Sequence, residues 1–186
     1  FADPGAAGAV EVYRGYMANR LGATVLGGAL NLISPTGHDA PGVELGAGGG
    51  SFGQRDLSVR YGHERARFDT LLHGDFNDRE GYRAYNASRR ASIGGNVGTR
   101  VSDTLTVRFF ASFADLAFDV AGSLTRDALE RNPRSVFTGP TVTPMGAINP
   151  GPNVVRDRPY REASQLQAGA RATQTFGAHI VDLAVG

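Results

Sequence analysis

The chain has 186 residues and a formal net charge of +1, it contains no cysteine, and its 19 basic residues are all arginine. These counts exclude disulfides, thiolate catalysis and cysteine-ligated metals, and the lack of lysine excludes a Walker-type phosphate loop and a Schiff-base enzyme. The near-neutral charge predicts no attraction to nucleic acid, and no apolar run approaches the roughly 20 residues of a transmembrane helix.

The opening stretch, from Val10 to Gly37, concentrates glycines between two short apolar runs. From Pro41 to Gly186 the chain then alternates apolar and polar residues with a period of two, which predicts strands. Four of these strands have the apolar sets Leu57, Val59 and Tyr61; Phe68, Thr70, Leu72 and Phe76; Ala91, Ile93, Val97 and Val101; and Leu105, Val107, Phe109, Ala111 and Phe113. A first strand at Val43–Gly48 and two weaker ones at Glu162–Gln174 and His179–Gly186 bring the total to about seven.

The connections between these strands are unequal at the two ends of the sheet. Short polar turns, "GHERA", "SDT" and "FGA", alternate with connections that grow from "GGSFG" to "NDREGYRAYNAS" to roughly 45 residues between Phe113 and Glu162. Short turns at one rim and long loops at the other are typical of outer-membrane barrels. A soluble antiparallel sandwich also alternates apolar and polar residues, so a soluble ligand-binding module remains the alternative.

Aromatic residues collect at the strand ends on the apolar face, with Tyr61 and Phe68 on the turn side and Phe76 and Phe113 on the loop side. This is where barrels carry their interfacial girdles. Seven antiparallel strands cannot close a barrel, and an open edge in lipid leaves backbone groups unsatisfied. We therefore expect both ends of the sequence to be internal to a longer protein, with further strands beyond Gly186.

Motifs that suggest an enzyme lack the structural context they need. The stretch "GGGSFG" at Gly48–Gly53 fits G-x-G-x-x-G and G-x-S-x-G, but both chemistries require a helix to follow. The next residues instead alternate with period two, so a hairpin loop is predicted and Ser51 is not expected to be a nucleophile. The four histidines show no metal-ligand spacing. A short helix is predicted in "SLTRDALERNP", beginning near Thr125 and ending before Pro133.

The glycine-rich stretch resembles the end of the plug domain of TonB-dependent outer-membrane receptors, with the pattern V-E-V-x-R-G-P, then Y-G, then G-G-x-I-N-x-I-T. The matching positions are Val10, Glu11, Val12, Arg14, Gly15, Gly22, Gly27, Gly28, Asn31 and Ile33. The sequence departs from the pattern at Tyr16 and Leu21. The later segments "GSFG", "EGYRAYN", "GNVG" and "GSLTRDALERNPR" are similar to receptors related to ferric citrate transporters.

The resemblance implies an all-β fold in which residues 1–38 end a plug domain and residues 39–186 form the first seven or so strands of a transmembrane barrel of about 22 strands. Two short plug strands should form from Val10, Val12, Leu30, Leu32 and Ile33. Glycine suits a plug because the backbone must turn sharply and approach the barrel wall closely. Arg14 is expected to pair with a wall carboxylate such as Glu44.

The resemblance also implies a transporter in the bacterial outer membrane, with no catalytic residue, metal ligand or resident cofactor. Its cargo would be a ferric siderophore, ferric citrate or a comparable chelate, and its partners would be TonB and outer-membrane lipid, not nucleic acid. Guanidinium groups bind carboxylates in bidentate fashion, which suits such cargo. The expected ligand contacts are Arg20, Arg79, Tyr82, Arg83, Tyr85, Arg126 and Arg131.

Overall fold

The structure is a computed structural model that describes residues 7–15, 27–148 and 151–186. Its elements are β1 (Ala9–Arg14), β2 (Gly28–Ile33), β3 (Gly42–Gly50), β4 (Gln54–Arg65), β5 (Phe68–Arg79), β6 (Ser88–Arg100), β7 (Leu105–Asp119), α1 (Arg126–Arg131), β8 (Thr141–Thr143), β9 (Gly146–Ile148), α2 (Val154–Asp157), β10 (Tyr160–Phe176) and β11 (His179–Val185). None of the helices in this described part is long and apolar enough to span a membrane.

Seven strands form one antiparallel sheet in the order β3, β4, β5, β6, β7, β10 and β11. Each strand pairs with the next strand of this sheet along the chain, so the sheet is an up-and-down meander. The predicted number of strands is therefore confirmed. Two two-stranded sheets, β1–β2 and β8–β9, lie outside it.

One face of the sheet, called here the apolar face, carries the predicted alternating set. A single cross-strand row on it joins Leu45, Val59, Gly74, Ile93, Phe113 and Leu166 through the strand registers. Leu45, Ile93 and Leu166 are 76%, 63% and 75% exposed. Within the described residues no second sheet covers this face. A soluble sandwich would bury it, so the exposed row argues against that alternative.

The opposite face, called here the polar face, carries the complementary set. Its central row runs through Glu44, Arg60, His73, Gly94, Ser112 and Gln167. Arg60 forms a salt bridge with Glu44 on the neighbouring strand. Polar residues on one face and exposed apolar residues on the other are the arrangement of a barrel wall with a polar interior.

The two ends of the sheet differ as the sequence predicted. At one end, called the turn rim, the connections are residues 66–67, 101–104 and 177–178. At the other, the loop rim, they are residues 51–53, 80–87 and 120–159. The long connection contains α1, whose N-cap Thr125 accepts a hydrogen bond from the Ala128 N–H, so the predicted helix is confirmed. It also contains β8, β9 and α2, which the sequence analysis did not predict.

Strand β7 is longer than predicted. It continues past Phe113 to Asp119, and in this extension Asp115 lies on the apolar-face side while Leu116 and Phe118 lie on the polar-face side. The apolar alternation therefore stops at Phe113 although the strand does not. We attribute the end of the alternation to the position of residues 114–119, because this part of β7 extends beyond the apolar band.

A linker connects the β1–β2 hairpin to the sheet. Thr36 and Asp39 close a turn in it: the Thr36 N–H and hydroxyl donate to the Asp39 carboxylate at 2.8 and 2.7 Å. These bonds hold the pKa of Asp39 below its usual range. His38 lies 2.9 Å from the Glu64 carboxylate, which raises the pKa of His38 through a hydrogen bond and through charge. The linker then enters β3 at Gly42.

Candidate functional site

The plug-motif residues form the antiparallel hairpin of β1 and β2, as predicted from the apolar runs. Glu11 lies opposite Asn31 and accepts its amide N–H at 2.9 Å. Gly15 and Gly28 have φ angles of +85° and +140°, and the position of a Cβ on Gly28 would be 2.5 Å from the Tyr13 carbonyl oxygen. Backbone conformation therefore favours glycine at both positions, and lack of space favours it at Gly28 as well.

The remaining motif residues have different surroundings. Gly27 has no heavy atom within 4 Å of the position of its Cβ. Arg14 is exposed, and Glu44, its expected partner, is paired with Arg60 instead. The predicted Arg14–Glu44 pair is therefore wrong, because Arg60 stands directly opposite Glu44 in the strand register. Gly22 and Arg20 lie outside the described residues.

A polar cavity of about 580 Å³ opens at the loop rim on the polar-face side. Its lining includes the following polar side chains: Gln54, Asp56, Asn77, Arg79, Ser88 and Arg90. Asp56 accepts hydrogen bonds from Gln54 and Asn77, at 2.7 and 2.9 Å. Arg79, a predicted ligand contact, donates to the Ser88 hydroxyl at 2.8 Å. The cavity therefore offers both guanidinium and carboxylate groups to a polar ligand.

Three loops are joined at the loop rim by two arginines. The Arg83 guanidinium donates to the carbonyl oxygens of Ala121, Gly122 and Ser135 at 3.0, 2.8 and 3.0 Å. This side chain, predicted as a ligand contact, is half-buried, and its bonds tie the connection 80–87 to the connection 120–159. We call this set of contacts, together with those of Arg134 described next, the loop clasp.

Arg134 completes the loop clasp. Its Nε donates to the Tyr82 carbonyl oxygen at 3.0 Å, and its guanidinium lies 5.8 and 5.7 Å from the ring centroids of Phe52 and Tyr82. The two rings meet edge to face at 5.3 Å. Such cation–π and aromatic contacts are favourable at partly exposed sites. Phe52, which the sequence analysis did not single out, thus joins the first loop to the other two.

The other predicted contacts lie apart from the loop clasp. Arg126 and Arg131 lie on α1, which has no buried residue; Arg126 pairs with Glu130 at 3.0 Å, and Arg131 donates to the Asp127 carbonyl oxygen at 3.2 Å. Tyr85 is half-buried with a φ of +50°. Of the predicted contacts, Tyr82 and Arg83 therefore take part in the loop clasp, whereas the arginines of α1 stay exposed.

The end of the long connection carries a further acidic group with a shifted pKa. Two hydrogen bonds from the Arg156 guanidinium and one from the Asn153 N–H lower the pKa of Asp157 to about 2. The same contact raises the pKa of Arg156. Asn153 is also the N-cap of α2, so the pair fixes the start of this helix. The ion pair between Arg156 and Asp157 therefore stabilises the end of the connection 120–159.

The motif "GGGSFG" forms the β3–β4 hairpin, with Ser51 in the connection 51–53 and strand β4 directly after it. The predicted hairpin loop is confirmed, and the helix required by a nucleotide site or a nucleophile elbow is replaced by a strand. Across residues 7–15, 27–148 and 151–186, no three histidine or acidic side chains converge in a way that could hold a metal ion.

No protein-family description matches the chain, and no curated protein sequence matches it. Solved structures do match. The ferric-catecholate import receptor Fiu from Escherichia coli matches with a TM-score of 0.70 over 91% of this chain, at 15% identity and covering 26% of that receptor. The iron transporter FrpB from Neisseria meningitidis matches with a TM-score of 0.69 over 99% of this chain, at 20% identity and covering 29% of that protein.

A third match is FpvA of Pseudomonas aeruginosa, solved with an iron-loaded heterologous pyoverdine, with a TM-score of 0.65, 13% identity, and coverage of 91% of this chain and 22% of that one. The chain thus spans about a quarter of the length of the structures it matches. At identities this low, the structural matches establish the fold alone. The matched proteins are import receptors and transporters, not enzymes.

Proposed function

We propose that this chain is part of a TonB-dependent outer-membrane receptor that takes up a ferric chelate. The observation that carries the proposal is a sheet with one apolar and one polar face. A glycine-rich hairpin is attached to the polar face through the linker. Its apolar face is exposed in a continuous band, as a lipid-facing wall requires. The fold shared with solved iron-import proteins supports the same conclusion.

In this proposal residues 1–38 end the plug domain and residues 39–186 supply the first seven strands of a barrel of about 22 strands. The apolar band on β7 runs from Leu105 to Phe113, which is about 27 Å along the strand and about 21 Å after a tilt of about 40°. Outer-membrane barrels carry an apolar band about 25 Å tall. The dimensions support insertion in the bacterial outer membrane, with the loop rim facing outward.

The ligand would bind at the loop rim. We propose that Arg79, Tyr82 and Tyr85 contact it from the second loop and that Arg126 and Arg131 contact it from α1, with Arg20 on the plug. Exposed guanidinium groups suit a chelate that carries carboxylate or other anionic oxygen atoms. Arg83 would act through the loop clasp by holding the loops that carry these contacts.

Energy for transport would come from TonB acting on the plug from the inner-membrane side. A chelate bound at the loop rim cannot pass a barrel that is filled by its plug, so part of the plug must be displaced. The chain's own residues would bind the chelate, orient it and keep the plug attached to the wall. No bond of the chelate has to break in this step.

The test is uptake of radioactive iron by cells that express the complete protein and lack their other iron receptors. Ferric citrate and the ferric complex of 2,3-dihydroxybenzoate serve as two probes of different anionic chemistry, and a protonophore removes the energy source. We expect uptake of at least one probe to exceed that of cells without the protein by at least tenfold. The protonophore should abolish this uptake.

A matched variant, Arg126→Gln with Arg131→Gln, should lower uptake at a limiting concentration of the probe and leave the amount of protein in the outer membrane unchanged. Heat-modifiable migration of the protein in a detergent gel reports that the barrel has assembled. Energy-independent uptake, or recovery of the complete protein in the soluble fraction, would refute the proposed function.

A further inference from the structure

An ion pair on the polar face bridges two strands that are not neighbours. The Arg108 guanidinium on β7 donates to both Asp69 carboxylate oxygens on β5 at 2.8 and 2.7 Å. Strand β6 lies between them, and at the crossing point it has Gly98. A Cβ on Gly98 would collide with the Arg108 guanidinium and the Asp69 carboxylate. Glycine at this position therefore leaves the space that the ion pair occupies.

The same groups hold the linker between the hairpin and the sheet. The Gly37 N–H donates to Asp69 Oδ1 at 3.1 Å, and the Asn96 side-chain amide donates to the Pro35 carbonyl oxygen at 2.9 Å. The Asn96 side-chain oxygen, Oδ1, in turn accepts a hydrogen bond from the Arg108 guanidinium. Three strands, β5, β6 and β7, thus each supply one side chain to a single polar cluster around the linker.

This cluster is shielded from solvent. Asn96 is 6% exposed, and the Asp69 and Arg108 side chains are 16% and 24% exposed. Pro35 and Gly37 are buried as well. Hydrogen bonds to charged groups in such shielded surroundings are stronger than those in water. The linker is therefore held by charge-assisted bonds that water does not readily replace.

The backbone of the linker also lies in close contact with the backbone of the sheet. A Cβ on Gly37 would collide with the backbone carbonyl oxygens of His63 and Thr70, and a Cβ on Gly62 would collide with the Ala40 carbonyl oxygen. Main chain thus lies directly against main chain at both positions. In contrast, the hairpin leaves Val12 and Leu30 61% and 70% exposed.

We propose that Asp69, Asn96 and Arg108 form a clamp on linker residues Pro35–Gly37, and that displacement of the plug during transport stops at this clamp. The inference rests on the proposed function, because only an energised receptor displaces its plug. The three side chains are positioning residues: they contact the linker and not the chelate. Movement is then confined to residues that precede Pro35, and the wall at the turn rim keeps its register with the linker.

The clamp can be tested by pulling the complete receptor, reconstituted in a lipid bilayer, from its N-terminal end in an atomic force microscope. The extension at each force peak gives the residue at which the chain is still anchored. We expect the last peak before the barrel strands unfold to place the anchor at residues 35–37. Asn96→Ala removes the donor to Pro35 but leaves the Asp69–Arg108 pair, and it should lower the force of this peak at least twofold.

Asp69→Asn is the second variant, and it should lower the same peak further because the Gly37 N–H and Arg108 both lose a charged partner. Asp182→Asn is the matched control. Asp182 accepts two hydrogen bonds from Arg171 on the same face, at 3.1 and 2.7 Å, and it has no contact with the linker. The control should leave the linker peak unchanged. In Asn96→Ala the later barrel peaks should also be unchanged, which separates a loosened linker from a weakened barrel.

A missing linker peak, a last anchor beyond Gly42, or a peak that neither Asn96→Ala nor Asp69→Asn lowers would overturn the clamp. Iron uptake by the wild-type receptor is measured in parallel. Absence of energy-dependent uptake would overturn the proposed function and with it the transport role of the clamp, while the force record would still show whether the linker is anchored.

Discussion

Replacing Phe109 by arginine tests whether the apolar face contacts lipid. Phe109 is the central member of the apolar set on β7, and its side chain is 59% exposed. Arginine on the lipid-facing side of a barrel costs about 2–4 kcal/mol at the bilayer midplane and about 0–1 kcal/mol near the interface. A cost of about 2–4 kcal/mol lowers the folding equilibrium constant by a factor of about 30 to 1,000.

The matched control lies on the same side of the same strand. Asp115 is the next position after Phe113 on the apolar-face side, and it is already charged, which places it beyond the apolar band. Asp115→Arg should therefore cost about 0–1 kcal/mol. Phe109→Leu, which keeps an apolar side chain, separates the effect of the charge from the loss of the ring.

The assay is guanidinium titration of the complete protein in lipid vesicles, followed by heat-modifiable gel migration. We expect the Phe109→Arg midpoint to fall well below those of Asp115→Arg and Phe109→Leu. If Phe109→Arg and Asp115→Arg shift the midpoint equally, the apolar face does not lie in the hydrocarbon layer, and the argument from alternation fails. A large effect of Asp115→Arg alone would mean that the hydrocarbon layer lies around Asp115 and not around Phe109, which would contradict the assigned position of the apolar band.

Three further predictions concern the loops and the linker. Arg83→Met removes hydrogen bonds from a charged donor, each worth about 1.5–3 kcal/mol, so protease should cleave residues 120–159 at least tenfold faster in intact cells. The pKa of His38, measured by NMR, should lie above 6.5, and it should return toward 6.5 in Glu64→Gln. The contact between His38 and Glu64 therefore stabilises the linker fully below pH 6.5, and this stabilisation is lost as the pH rises through the raised pKa. Gly37→Ala should reduce the yield of assembled barrel because its Cβ collides with backbone, whereas Gly27→Ala, which meets nothing, should not. Equal yields, an unshifted His38 or unchanged cleavage would contradict the respective prediction.

The wall was predictable from sequence because each strand repeats one simple pattern. In a barrel every second residue meets lipid, so Leu72, Ile93 and Phe109 reveal their side of the sheet without any knowledge of their neighbours. The cap residue Thr125 likewise predicts α1 from local chemistry alone. Both predictions depend on residues that are close in the sequence.

The clamp and the loop clasp were not predictable in the same way. Asp69 and Arg108 are separated by 39 positions, and nothing local in the sequence shows that Gly98 leaves a gap between them. Arg83 was predicted as a ligand contact because an arginine in an outer loop often binds anions, yet its donors meet carbonyls of a loop about 40 to 50 residues away. Pairings of this kind depend on the strand register and loop paths, which alternation does not specify.

The partners of Arg83 in the loop clasp are main-chain carbonyl groups, and every amino acid carries the same carbonyl. Substitutions at Ala121 or Ser135 therefore change the side chain without removing the hydrogen-bond acceptor. The side chains of these loops can therefore vary while Arg83 and its main-chain acceptors keep the two connections together. Variation in the side chains of the two connections is thereby separated from the contact that holds the connections together.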